Sequence, residues 1–303
     1  MIRALTASIA TRRRPLFIVA WLTLNAALLA HPGVRYLGSL NHDWHEWLEV
    51  PERLANGTLY EVTSNFWFLW SPIAAALLAH VFVPLGYSWW LALHLAALPL
   101  LRDWWLIGLT VVSVPFWVDT INGNTVAFVF VAGALALRGS RIGTMASLAL
   151  FVLMPRPLAA PLVVWLLWKR PESRLPFVVM GVVTLGVSVW TGYLADWLHS
   201  LLGVSGANTA HFANLSPTAL VGLAWLIVGI PLAAWLTLHG HVGMAGLAMS
   251  SYVLPMYPLV LLWEWIERPS RAWTVGSNSK DRFAGGVGRR LTQLIEPSST
   301  RDR

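Results

Sequence analysis

Apolar residues occur in blocks along this chain from Pro15 to Ile266, and each block is cut by a short polar or Pro/Gly break. Blocks of this kind suit α-helices and lack the ~10-residue alternation of outer-membrane strands. The pattern predicts helices over about 104–119, 124–138, 142–154, 157–168, 242–253 and 255–266. Their turns fall at Ile121-Asn-Gly-Asn124, Pro155-Arg-Pro157 and Ser250-Ser-Tyr-Val-Leu-Pro255. Each segment holds roughly 12–16 residues, whereas a straight crossing of the hydrocarbon core needs ~20. Some helix tips are therefore expected to end below the membrane surface, in a cavity where protein or water satisfies their backbone.

Longer runs at about 175–194 and 217–238 read as ordinary spans, joined by a loop with Asp196, His199, His211 and Asn214. Ser71 to Pro84, led in by Trp70-Ser-Pro72 and closed by Pro84-Leu-Gly86, reads as a re-entrant or interfacial helix, and about 87–101 returns the chain. Arg12–Arg14, Arg102, Arg138, Arg141, Lys169, Arg170 and Arg174 mark the inner face by the positive-inside rule. The expected fold is an all-α, multi-pass transmembrane bundle of about ten spans, its three polar turns all facing outward. Residues 1–267 form that membrane domain, and 268–303 read as a disordered, basic cytoplasmic tail.

Composition sharpens this picture. The chain is 56% hydrophobic and 12% charged, about half the charge of a soluble protein. With no cysteine, disulfides, thiol catalysis and Cys-ligated metals are excluded. The net charge of +7 sits largely in short clusters between spans, where topology accounts for it, so nucleic acid is not expected as a partner. The basic lead-in and apolar run at Arg12–Ala30 resemble a signal peptide, but a retained anchor suits a chain this hydrophobic.

Against this background one acidic island stands out, Asn41-His-Asp-Trp-His-Glu-Trp-Leu-Glu49. Ionisable clusters beside a bilayer are costly unless they function. Asp43, flanked by His42 and His45, can act as general base on a sugar or lipid hydroxyl. A solvated loop with helix-capping acids explains the same residues, and His42 and Glu46, spaced i, i+4, also fit a pair of metal ligands. Arg156, between two prolines, calls for an anion, and its fork fits phosphate; an interfacial pairing with ordinary lipid headgroups or a neighbouring carboxylate is the plainer alternative. Asn122, Asn124, His211, Asn214, Ser216, Ser251 and Tyr252 either line a pocket or satisfy backbone near helix ends.

Taken in order, several pieces resemble a known pattern. Asp43 in the first loop is followed by Arg53-Leu-Ala-Asn-Gly57-Thr-Leu-Tyr60 and then by Phe66-Trp-Phe-Leu-Trp-Ser-Pro72. Later come Asn122-Gly-Asn124, Arg156-Pro157, Asn214-Leu-Ser216 and Ser250-Ser-Tyr-Val-Leu-Pro255. This succession resembles the GT-C class of multi-pass glycosyltransferases, particularly its polyprenol-phosphate-mannose-dependent mannosyltransferases of bacterial lipoglycan synthesis. Asn124 stands where Gln is common, and Leu-Trp-Ser-Pro replaces Tyr-Pro-Pro.

The resemblance implies inverting transfer of a sugar, mannose favoured, from a polyprenyl-phosphate donor to a lipid or glycolipid acceptor at the outer face of the cell membrane. Asp43 is then the base, and Arg156, with Asn124 and Tyr60, holds the donor phosphate. His42, His45, Arg53, Asn122, His211, Asn214, Ser251 and Tyr252 are the expected pocket residues, and no metal or other cofactor is implied. A transporter for a lipid-linked sugar and a non-catalytic membrane partner protein are the alternatives. The former calls for a repeat between halves and access to both faces.

Overall fold

Pro, Gly and capping Ser or Asp residues divide the apolar blocks into many short helices. In a computed structural model the residues described are 2–32, 34, 42–62, 68–207 and 213–266, and among them there is no strand. The expected basic tail lies outside the described residues, as do the side chains before Arg14.

Helix α1 (Ile2–Ala30) is tied to the bundle by two side chains. Trp21 Nε1 donates to Leu109 O at 3.1 Å, and Asn25 Oδ1 accepts from the amide of Val114 at 2.6 Å. The acidic island forms α2 (His42–Asn56), an amphipathic helix that buries Trp44, Trp47 and Val50 and leaves Glu49 paired with Arg53 at its exposed side.

Ser71 caps α3 (Pro72–Leu85), which contains a π-helical turn over Leu78–Phe82. Gly86, in the left-handed region, breaks the chain so that α4 (Tyr87–Leu101) leaves at 102° to α3. This is the geometry of a broken span or a re-entrant loop. The apolar stretch expected to run unbroken from 104 to 119 is also divided. Asp103 caps α5 (Trp104–Val111), Ser113 caps α6 (Val114–Asn122), and the two differ in direction by 67°.

The centre of the bundle is α7 (Val126–Leu137), buried along nearly its whole length. It forms a hairpin with α8 (Arg141–Leu153), whose corner is held by buried Arg170 donating to Thr144 Oγ1 at 2.6 Å and Ser140 O at 3.1 Å. Then follow α9 (Pro157–Lys169), α10 (Pro171–Trp190), α11 (Leu194–Ala207), α12 (Thr218–Leu238), α13 (Val242–Met249) and the 3₁₀ segment α14 (Tyr257–Trp265). Helix α13 crosses the start of α9 at Gly246, where a Cβ would stand 2.1 Å from Leu158 O. Trp263, fully buried in α14, donates to Phe130 O at 2.9 Å and locks the last segment to α7.

Two helices, α10 and α12, are long and apolar enough to cross a membrane, or up to four spans if each bent pair counts as one. Both present apolar side chains outward: Leu175 is 73% exposed and Leu220 89%. Water would penalise such surfaces, and lipid does not. The expectation of about ten spans does not follow from these lengths, because α7 and α8, of 12 and 13 residues, are too short to cross by themselves. Part of the predicted loop between the long helices is instead helical, forming α11, whose Trp197 is buried.

Candidate functional site

Three turns far apart in sequence meet the first turns of α2 around one cavity of about 470 Å³. They contribute Asn124, then Pro155, Arg156 and Pro157, then Ser251, Tyr252 and Leu254. The volume lies within the ~300–1,000 Å³ usual for small-molecule sites.

Helix α2 supplies Asp43, Glu46 and Trp47, which share a face because they are three and four residues apart. Its first amides need partners. Asn122 of α6 supplies one, its Oδ1 accepting from the Asp43 N–H at 3.4 Å, so a residue some 80 positions away acts as a cap.

Asn124 follows at the start of α7 and has three side-chain bonds. Its Nδ2 donates to Asp43 Oδ2, while its Oδ1 accepts from Arg156 Nη2 at 2.5 Å and from the Thr125 amide at 2.7 Å. One amide side chain thus spans from carboxylate to guanidinium.

Arg156 is 8% exposed and extended between two prolines whose rings restrict the backbone on either side. Nη2 also donates to Thr125 Oγ1 at 3.0 Å and Nη1 to the Tyr257 hydroxyl at 3.1 Å, and the guanidinium carbon lies 5.9 Å from the Trp70 ring centroid. Its Nε is buried without a partner. Among the described residues no carboxylate pairs with it, so every bond to this buried charge comes from a neutral group. A buried charge without a counter-ion costs several kcal/mol, and an anion in the cavity relieves it.

Beyond Asn124 the lining is acidic. Burial first, then the charges of Asp43 and Glu49, push the Glu46 carboxyl up to about 9. At neutral pH it is a hydrogen-bond donor beside Asp43. Trp47, Phe68, Trp70, Tyr252 and Tyr257 add aromatic faces to the lining. Trp47 meets Trp70 edge-on at 4.9 Å and Trp90 at 4.8 Å. The extended segment 68–70 is stapled twice: Tyr60 Oη donates to Trp70 O at 2.7 Å, and Trp197 Nε1 to Leu69 O at 3.0 Å.

Of the residues expected from sequence, Asp43, Asn124, Arg156, Ser251 and Tyr252 line this cavity. Asn122 stands behind it as the cap of α2. Tyr60 is not a lining residue: its proton is engaged by the Trp70 carbonyl, and burial, Tyr193 and Asp196 all raise its phenol, keeping it neutral. Arg53 lies away from the cavity, bonded to Glu49 and to Glu61 O, and His45 is exposed on α2. Asn214 is used up in a turn, with Oδ1 accepting from the amides of Ser216 and Val253 and Nδ2 donating to Thr218 Oγ1. The side chain of His42 and all of His211 lie outside the described residues.

Sequence reasoning missed Glu46 as a cavity carboxylate, although its i, i+3 spacing from Asp43 was visible. It also missed Tyr257, for which a Tyr-Pro pair beginning the last apolar block was the available signal. Among the described residues no group of three or more His, Cys, Asp or Glu side chains is placed to hold a metal ion. Compared with known proteins, this chain is matched by no family model, no curated protein and no solved structure.

Proposed function

We propose that this protein is a membrane glycosyltransferase of GT-C type that uses a polyprenyl-phosphate sugar as donor, mannose favoured, and a lipid or glycolipid as acceptor. The observation behind this reading is the pairing, in one cavity, of the Asp43 carboxylate with the buried guanidinium of Arg156, which forms no ion pair among the described residues, the two linked by the side chain of Asn124. A sugar phosphate offers an anion, hydroxyl groups and a flat ring face. Phosphate at Arg156 supplies negative charge, the aromatic lining residues accept a pyranose face, and the carboxyl groups of Asp43 and Glu46 meet hydroxyl groups.

In the reaction, the acceptor oxygen loses its proton to Asp43 and attacks the anomeric carbon from the face opposite the phosphate. The bond from that carbon to the phosphate oxygen breaks, its electron pair leaves with the polyprenyl phosphate, and configuration inverts. Arg156, Tyr257 and Thr125 surround the place where charge grows, and fixed donors of this kind stabilise such charge strongly. The hydrocarbon tail stays in the bilayer beside the apolar helices. The cavity mouth faces outside, the basic segments inside, and the short helices traverse the membrane in broken pairs. Tyr60 serves by holding Trp70 rather than by binding phosphate.

The test is transfer by purified protein in lipid, with a panel of radiolabelled polyprenyl-phosphate sugars and membrane-extracted acceptors. Wild type should transfer one sugar, and Asp43→Asn should not. Equal transfer by both would remove Asp43 from the mechanism. Transport of an intact donor across a sealed bilayer without transfer would favour the transporter.

A further inference from the structure

Behind the Asn122–Asn124 turn lies a buried His–Asp pair outside the cavity lining. His94 of α4 and Asp119 of α6 are both 0% exposed, with His94 Nε2 3.4 Å from Asp119 Oδ2. The two ring nitrogens each face a backbone carbonyl: Nδ1 lies 3.0 Å from Trp90 O and Nε2 3.1 Å from Asn124 O. A carbonyl oxygen only accepts, so each contact is a hydrogen bond when the nitrogen facing it bears the proton. In either case the ring stands between the Trp90 carbonyl of α4 and the Asn124 carbonyl just before α7, with the Asp119 carboxylate beside it.

Asp119 is itself fully engaged. Its Oδ1 accepts from the Val126 amide at 3.0 Å and its Oδ2 from the Ala127 amide at 2.7 Å, so the carboxylate caps α7. Its own carbonyl accepts from the amides of Gly123 at 3.1 Å and Asn124 at 2.9 Å. The N–H of Asn124 is therefore bound to Asp119 and its C=O to His94. With both backbone groups pinned, the side chain of Asn124 is aimed at Asp43 and Arg156.

We propose that His94 and Asp119 act together to position Asn124 between Asp43 and Arg156. The benefit of that positioning to transfer rests on the transferase reading, whereas the pinning of the turn does not. His94 is a positioning residue, since it reaches the cavity only through the backbone of Asn124.

Two measurements separate these claims. In lipid nanodiscs at neutral pH, backbone amide exchange over 123–127 should speed up at least about tenfold in His94→Leu. Unchanged exchange would overturn the pinning of this turn, whether or not the protein proves to be a transferase. In the transfer assay, His94→Leu should lower kcat on the order of a hundredfold with little change in KM, as small misplacements at reacting centres do. His94→Gln, which retains an N–H able to reach Asn124 O, should restore most of that loss. A fall in thermal stability with kcat unchanged in His94→Leu would overturn the positioning role.

Discussion

Gly123 is packed against the backbone of Trp44, so closely that a Cβ on it would stand 2.8 Å from Trp44 Cβ and 3.1 Å from Trp44 N. It also has φ of +85°, which side-chain-bearing residues adopt at a cost of roughly 1–2 kcal/mol. Both facts act on one distance, that between the turn bearing Asn124 and the helix bearing Asp43. Gly123→Ala is expected to push α2 away and break the Asn124–Asp43 bond. Transfer should fall on the order of a hundredfold for a shift of about 1 Å, while thermal stability drops only modestly. Wild-type turnover in this variant would mean the Asp43–Asn124 contact is unimportant.

Arg156→Met should separate stability from function. Replacing a buried ion with an apolar side chain of similar volume is often neutral or stabilising, so Tm is expected to hold or rise. Transfer should drop by at least about a hundredfold, since the donor proposed to stabilise the leaving phosphate is gone. Arg156→Lys should be nearly as inactive, because one ammonium cannot reproduce the fork that reaches Asn124, Thr125 and Tyr257 together. Melting curves and rates on the same preparations decide between these outcomes.

Glu46 gives the folded protein a pH dependence of calculable sign. Unfolded, its carboxyl ionises near the ordinary 4.5, while folded it keeps its proton up to about 9. Between those values unfolding releases a proton, so rising pH favours the unfolded state. Stability should decline from about pH 4.5 to about pH 9 in wild type, and Glu46→Gln should flatten that decline. Thermal melts of both proteins in detergent across this window test it, and parallel curves would assign the slope to another group.

Tyr60→Phe distinguishes two roles for one hydroxyl. Losing its bond to the Trp70 carbonyl should cost about 0.5–1.5 kcal/mol of stability and leave the KM for donor close to wild type. A large rise in KM would return the hydroxyl to the donor phosphate, as the sequence resemblance implies.

These residues show what kind of information the sequence held. Breaks at Gly86, Pro155 and Pro157 were legible because Gly and Pro act locally. The all-helical character was legible from the apolar blocks. The bend before α6 was missed although Ser113 and Pro115 are an ordinary helix-start signal, because a continuous apolar run outweighed it. The number of spans was overestimated for a related reason: hydropathy marks apolar helices but not whether two short ones meet end to end. Asp43, Asn124 and Arg156 stood out as polar groups at turns. His94 did not, since a single histidine in an apolar helix looks like any buried side chain until the carbonyl of Asn124 is found beside it. The bond from Tyr60 to Trp70 was not legible, because the direction of the hydroxyl depends on a residue ten positions away across a turn.

The cavity has one more consequence, for the order in which the protein comes into being. Asp43 leaves the ribosome long before Asn124, and Arg156 long before Tyr257, the last of its hydrogen-bond partners. Membrane insertion can proceed helix by helix, but the guanidinium cannot acquire its full set of neutral partners until α14 has docked through Trp263 onto α7. A nascent chain halted before residue 257 would therefore be a set of inserted helices with an incomplete cradle for its own buried charge. The last apolar segment thus closes a cradle whose first residues were made at the start of synthesis.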